Sequence, residues 1–257
     1  MDIFIISMVA FMASLLTLFS GFGLGTLLMP VVALFFPLEV AIGITAIVHL
    51  ANNLFKVALL GKHAVRSVLL RFGLIAVLAA FLGAWVLGRL ADSAQVFSYS
   101  IFSHDFQTTG LKLVVGGLIL VFVLLEFSKW FARIKLGPKF LPLGGMISGF
   151  FGGLSGHQGA FRSMFLLKAG LSKEQFVATG VMVAVMVDVT RILVYGKDMA
   201  IDYQSIDWTL VIAATVSAFV GAYLGKKLLE KITIKVVHIA VSLLLLVVAL
   251  GLMTGVI

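Results

Sequence analysis

The chain has no cysteine, which excludes disulfides, thiol catalysis and any metal site built on thiolates. Charge is scarce: only 12% of the 257 residues are Asp, Glu, Lys or Arg. No GxxxxGK[ST] phosphate loop occurs, which argues against direct use of ATP, and no HExxH pattern or other close catalytic spacing is present. An enzyme is therefore not expected, and no cofactor or metal is called for. The polar/apolar alternation of a β-barrel is missing as well, and no segment reads as a separate soluble domain. What remains is apolar: 61% of residues are hydrophobic and the mean hydropathy is +1.19. That is more apolar surface than a soluble chain of this length could bury. Most runs reach or approach the roughly 20 residues that span about 30 Å of hydrocarbon. The expected fold is an all-α polytopic membrane protein with the lipid bilayer as its partner. The net charge of +8 sits in short clusters between apolar runs, a pattern of membrane orientation, so no nucleic-acid partner is expected. Met1-Asp2 leads straight into an apolar run without a basic n-region, and that run is expected to stay in the membrane.

Two glycine-rich stretches interrupt these runs: Ser20-Gly-Phe-Gly-Leu-Gly-Thr-Leu-Leu-Met-Pro30 and Gly152-Gly-Leu-Ser-Gly-His-Gln-Gly-Ala160. At membrane depth glycine frees backbone groups that lipid cannot satisfy, so such breaks persist where they line a cavity. Paired interruptions at matching places in two halves point to a transporter's substrate site. The chain reads as such a pair of halves. The first repeat, residues 1–132, has a broken stretch at 3–36, interrupted at Gly21–Gly25 and Pro30, and spans at 39–60, 67–88 and 110–125. A basic cytoplasmic linker covers 133–140. The second repeat, 141–257, has a broken stretch at 141–169 and spans at 174–195, 208–225 and 234–255. Asn53, Lys56, Gly61 and Lys62 recur at a constant interval as Asp188, Arg191, Gly196 and Lys197, and Phe81-Leu-Gly-Ala84 recurs as Phe219-Val-Gly-Ala222.

Charge sets the orientation. Lys62, Arg66 and Arg71 in residues 61–72, the basic residues of 126–139 and the four lysines of 226–235 mark cytoplasmic connectors, whereas Asp92 and Asp105 in 89–109 and Asp198, Asp202 and Asp207 in 196–207 mark outward ones. All five connectors fall on the right side if each broken stretch enters and leaves by the same face. Each half then crosses three times, the repeats are inverted, and both termini lie outside, with two re-entrant hairpin tips meeting near the midplane.

A broken helix offers free N–H groups and a partial positive charge, here near Thr26 and Ala160, and so suits a small anion. The candidate substrate-binding residues are Ser20, Gly21, Gly23, Gly25, Thr26, Asn52, Asn53, Ser155, Gly156, His157, Gln158, Gly159 and Arg162; Ser163 adds a donor. Competing readings stand beside these: the glycines as packing contacts, His157 and Gln158 as hydrogen bonders that hold the tip, and Arg162 as a side chain reaching to the interface. Thr45, His49, Asn52 and Lys56 recur every three or four residues and form one polar stripe that should face the protein interior. His49, Lys56, Asp188 and Arg191 are candidates for coupling or gating. Asp188 either pairs with Arg191 or carries a proton, His49 either titrates or is a satisfied core histidine, and Lys56 and Arg191 either bind substrate or snorkel. Protons are the candidate coupling ion.

The duplicated halves, GFGLGTLLMP followed by a span bearing Asn52-Asn53, and GGLSGHQGA together resemble the TauE/SafE family, also called the 4-toluenesulfonate uptake permease family, over essentially the whole chain. The resemblance implies a bacterial inner-membrane transporter of sulfite, sulfonates or related organosulfur anions. With the broken helices, this gives a secondary carrier working by alternating access at a midplane site; an anion channel is the alternative.

Overall fold

The computed structural model describes residues 2–20, 23–92, 96–101, 104–128, 136–167, 169–198, 206–228 and 234–256. It is almost wholly helical. α1 (Asp2–Ser20) is followed across the first glycine break by the short α2 (Leu24–Val32), then α3 (Leu38–Leu60), which tightens into a 3₁₀ turn at Gly61–His63. α4 (Arg66–Ala91) contains a π-helical stretch at Leu69–Gly73. After a β-hairpin comes α5 (Gly110–Phe127), capped by the Thr109 hydroxyl, which accepts from Lys112 N. The second half repeats this order: α6 (Leu141–Ser155), a glycine break, the short α7 (Gly159–Leu166), α8 (Lys173–Asp198), α9 (Trp208–Leu228) and α10 (Ile234–Thr254).

Both breaks fall where the glycines predict them. Gly23 has φ 84° and Gly156 has φ 80°, conformations an L side chain rarely adopts. Pro30 differs from expectation, since α2 continues through it to Val32. Proline there removes one hydrogen bond of a helix that ends two residues later, so it shortens α2 without dividing it. Within the expected outward connector 89–109 the chain forms an antiparallel hairpin, β1 (Val96–Ile101) and β2 (His104–Thr109), pairing Val96 with Thr109 and Ile101 with His104. Tyr99 Oη and Thr108 Oγ1 donate to the carbonyls of Thr254 and Leu252, which seats the hairpin on the end of α10.

α3, α4, α8 and α9 are long and apolar enough to cross a membrane, and shorter apolar stretches lie in α1, α5 and α10. Their outer faces carry large exposed apolar side chains, Leu78 and Leu193 at 72% and 70% exposure among them. Such a surface is tolerable against lipid and not in water. The protein is an all-α polytopic membrane protein whose interior, unusually, holds its polar residues.

Small residues set the helix packing. A Cβ on Gly83 in α4 would strike the backbone of Phe150 in α6, and one on Gly221 in α9 would strike the backbone of Phe11 in α1. Both contacts are made by the Phe-x-Gly-Ala segments that recur in the sequence, the first on α6 and the second on α1. Gly144, near the start of α6, lies against the ring of Phe165, near the end of α7, so α6 and α7 run side by side in opposite directions. Deep in the protein, α3 packs against α8.

Candidate functional site

The polar stripe of α3 points inward, as expected from the cost of facing it to lipid. Thr45, His49, Asn52, Asn53 and Lys56 are all buried. Opposite them on α8, Asp188 is fully buried and is the only buried acid among the described residues. Asp188 gathers partners from three elements. Arg191, one turn on, donates Nε–H to Oδ1 at 3.0 Å, with its NH2 also 3.0 Å from that oxygen. His49 Nδ1 lies 2.6 Å from Oδ2, and because the carboxylate only accepts, this ring nitrogen carries the hydrogen. Asn53 Nδ2 donates to Oδ2 at 3.1 Å, and Gln158, in the second break, donates Nε2–H to Oδ1 at 3.4 Å. Buried charge is tolerated when it is paired and hydrogen-bonded in this way.

Each tip touches this hub. A Cβ on Gly23 would come within 3.2 Å of His49 Nε2, and one on Gly156 within 2.6 Å of Arg191 NH1. Glycine at these two positions therefore serves both the positive φ and the close approach of a hub side chain. Gln158 then links the hub outward, since its Oε1 accepts from Arg162 NH1 at 3.3 Å. Tyr195 Oη donates to the Gly153 carbonyl and ties α8 to the end of α6.

Beside the hub lies a cavity of about 30 Å³ lined by Thr17, Gly23, Asn53, Lys56, Arg162, Ser163, Phe176, Val177, Gly180 and Val181. Two of its walls are cationic and none is acidic. With its amide oxygen turned toward the lysine, Asn52 accepts from Lys56 Nζ at 3.1 Å and donates to Ser14 Oγ at 3.0 Å and the Ala218 carbonyl at 3.3 Å, the orientation that satisfies both ends. Lys56 and Arg162 thus have neutral acceptors close by, while the one buried carboxylate is already shared among other groups. Thr17 Oγ1 is buried at the cavity and has no hydrogen-bond partner.

Of the sequence candidates, the structure brings together Gly23, Asn52, Asn53, Gln158, Arg162, His49, Lys56, Asp188 and Arg191. Lys56 and Arg191, exposed by 3% and 1%, lie inside the protein and do not snorkel; Arg162 is buried as well. Gly25 and Thr26 are buried in the first turn of α2, where Gly25 packs on His49 and Thr45. Ser155 and His157 stand apart from the cavity lining: His157 Nδ1 contacts the Ser155 carbonyl at 3.0 Å, and its ring packs 5.7 Å from that of Phe122. Gly159 opens α7, but that helix reaches the cavity through Arg162 and Ser163, one turn in, and the Arg162 amide is already bonded to the Gln158 carbonyl. Gly21 and the side chain of Ser20 lie outside the described residues. Sequence reasoning missed Thr17, Phe176, Val177, Gly180 and Val181; only Thr17, a hydroxyl one turn before the first break, carried a signal.

The family model described as "Sulfite exporter TauE/SafE" matches residues 6–252. The chain belongs to the TauE/SafE sulfite exporter family. No curated protein and no solved structure matches it. Family membership makes the chain a membrane transporter of sulfite or related anions, and a pocket lined by a lysine, an arginine and two hydroxyl side chains is chemistry suited to an oxyanion.

Proposed function

We propose that this TauE/SafE protein is a secondary carrier of small sulfur oxyanions, sulfite, sulfonates or related organosulfur anions, which it binds in the cavity beside the Asp188 hub. One observation carries the reading: Lys56 and Arg162 line a buried cavity that contains no acid. Buried cations without a counter-charge are costly, and an anion entering the cavity relieves that cost. In this reading residues 1–132 and 141–257 are inverted repeats joined by 133–140, α1–α2 and α6–α7 are re-entrant hairpins entering from opposite faces, and both termini lie outside the inner membrane of a bacterium. Rocking of one repeat against the other exposes the site to each side in turn. Gln158 and His49 connect the anion site to Asp188, which makes His49 and Asp188 the groups through which protons would couple to transport.

The test is sulfite flux into sealed proteoliposomes, with membrane current recorded in parallel. A carrier gives flux that saturates with sulfite and responds to a pH gradient. A current that rises in proportion to voltage without saturation identifies a channel, and stabilisation of the purified protein only by cations or neutral solutes contradicts the anion site.

A further inference from the structure

Among the described residues, the buried charged side chains are Lys56, Arg162, Arg191 and Asp188. Arg191 and Asp188 compensate each other through two close contacts on one carboxylate oxygen. His49 spends its hydrogen on the same carboxylate, and His157, turned to the Ser155 carbonyl, stands off the cavity wall. Two basic side chains, Lys56 and Arg162, are therefore left facing one small cavity, where negative charge on a guest favours the charged form of both. The charge of a ligand that settles between them is set by the same physics that pairs buried ions elsewhere: in a medium of low dielectric, a single negative charge leaves one cation unmatched, and two match both.

The rest of the lining agrees with a compact, highly charged guest. Thr17 Oγ1 is buried and unpartnered at the cavity, and Ser163 and Asn53 also line it, so the Thr17 hydroxyl is at hand for an oxyanion. Gly180 lies against the Arg162 side chain, since a Cβ there would sit 3.4 Å from Arg162 Nε, in ordinary contact. Phe176, Val177 and Val181 complete the lining and offer no polar side chain, and the cavity of about 30 Å³ is small.

We infer that the site selects compact dianionic oxyanions over monoanions of the same size, with Lys56 as the residue that sets the charge preference. The inference rests on the anion-carrier reading of this cavity and narrows it. The experiment is isothermal titration of the purified full-length protein, at fixed pH and ionic strength, with sulfate and thiosulfate as dianions and methanesulfonate as a monoanion that keeps the sulfate shape. Sulfate or thiosulfate is expected to bind at least tenfold more tightly than methanesulfonate. In Lys56→Gln, dianion affinity falls at least tenfold and the preference shrinks to threefold or less. Methanesulfonate binding as tightly as the better dianion overturns the charge selection while leaving the oxyanion site intact. A preference that persists unchanged in folded Lys56→Gln removes Lys56 from the role. If no anion binds, sulfite included, the carrier reading of the cavity itself fails, and the wild-type comparison stands whether or not the variant folds.

Discussion

Asn53 Nδ2 donates to Asp188 Oδ2 at 3.1 Å across a sequence separation of 135, the same interval at which Lys56 recurs as Arg191 and Gly61 as Gly196. Residues at matching places in two halves can touch only beside the axis that relates those halves. If the halves are inverted repeats, as proposed, the hub sits beside that axis, with an amide on one side and a carboxylate on the other. Asp188→Asn leaves Arg191 buried without its counter-charge and is expected to cost about 3–5 kcal/mol of stability. The exchange variant, Asn53→Asp with Asp188→Asn, returns a carboxylate to the pair from the other side and should recover most of that loss. Thermal denaturation of these two variants and of Asn53→Asp alone in detergent checks this. Strictly additive losses would mean the two positions are not interchangeable.

Arg162→Gln removes one of the two cavity cations while keeping a side chain that can hydrogen-bond Gln158. Loss of a charge-assisted contact worth about 1.5–3 kcal/mol corresponds to a drop in sulfite affinity of roughly 10- to 150-fold. Arg162→Lys keeps the charge but loses the planar fork, and should fall between the two. Titration calorimetry, with circular dichroism to establish folding, measures both. Unchanged affinity in Arg162→Gln takes this residue out of the site.

Much of this arrangement is legible in the sequence because membrane physics writes it there. The stripe of Thr45, His49, Asn52 and Lys56 had to face inward, and Asn53 and Asp188 stand out as recurring positions, although only the fold shows that they meet. The breaks after Ser20 and Ser155 follow from glycines that only a turn requires. Other features depend on the assembled fold. Phe176, Val177 and Val181 read as ordinary apolar residues of a span, and nothing local shows that they close a cavity whose cations come from α3 and α7. The β-hairpin at 96–109 reads as a connector in the sequence, because its stability comes from docking on the end of α10 through Tyr99 and Thr108. Whether Lys56 reached for the interface or the interior was likewise decided by packing, through the neighbouring Asn52.

Glycines in α5 and α6 should divide sharply by what they face. A methyl on Gly149 would run into the backbone of Ala76 in α4, whereas one on Gly117 in α5 meets nothing within 4 Å. Gly149→Ala must push α4 and α6 apart and is expected to cost about 1–3 kcal/mol. Gly117→Ala lies in an open helical position and should be neutral or stabilising by up to about 1 kcal/mol. Melting temperatures in detergent compare them directly. Equal effects would show that close backbone approach is not what holds α4 to α6.

Inversion of the repeats makes a prediction about sidedness that needs no ligand. Val65 N donates to Thr179 Oγ1 at 3.0 Å, so the end of α3 lies beside the beginning of α8 and the two helices run antiparallel. The nearly twenty residues from Thr179 to Asp198, the last residue of α8, span about 28 Å at 1.5 Å per residue, the thickness of the hydrocarbon core. Ala64 and Asp198 therefore fall at opposite ends of the pair, Ala64 among Lys62, Arg66 and Arg71, and in the sequence Ala200 follows Asp198 by two positions. The chain has no native cysteine, so Ala64→Cys and Ala200→Cys each introduce a single thiol. An impermeant maleimide applied to intact cells should label residue 200 and leave residue 64 unlabelled until the membrane is opened. Labelling of both from the same side would exclude inverted repeats and, with them, hairpins that enter from opposite faces.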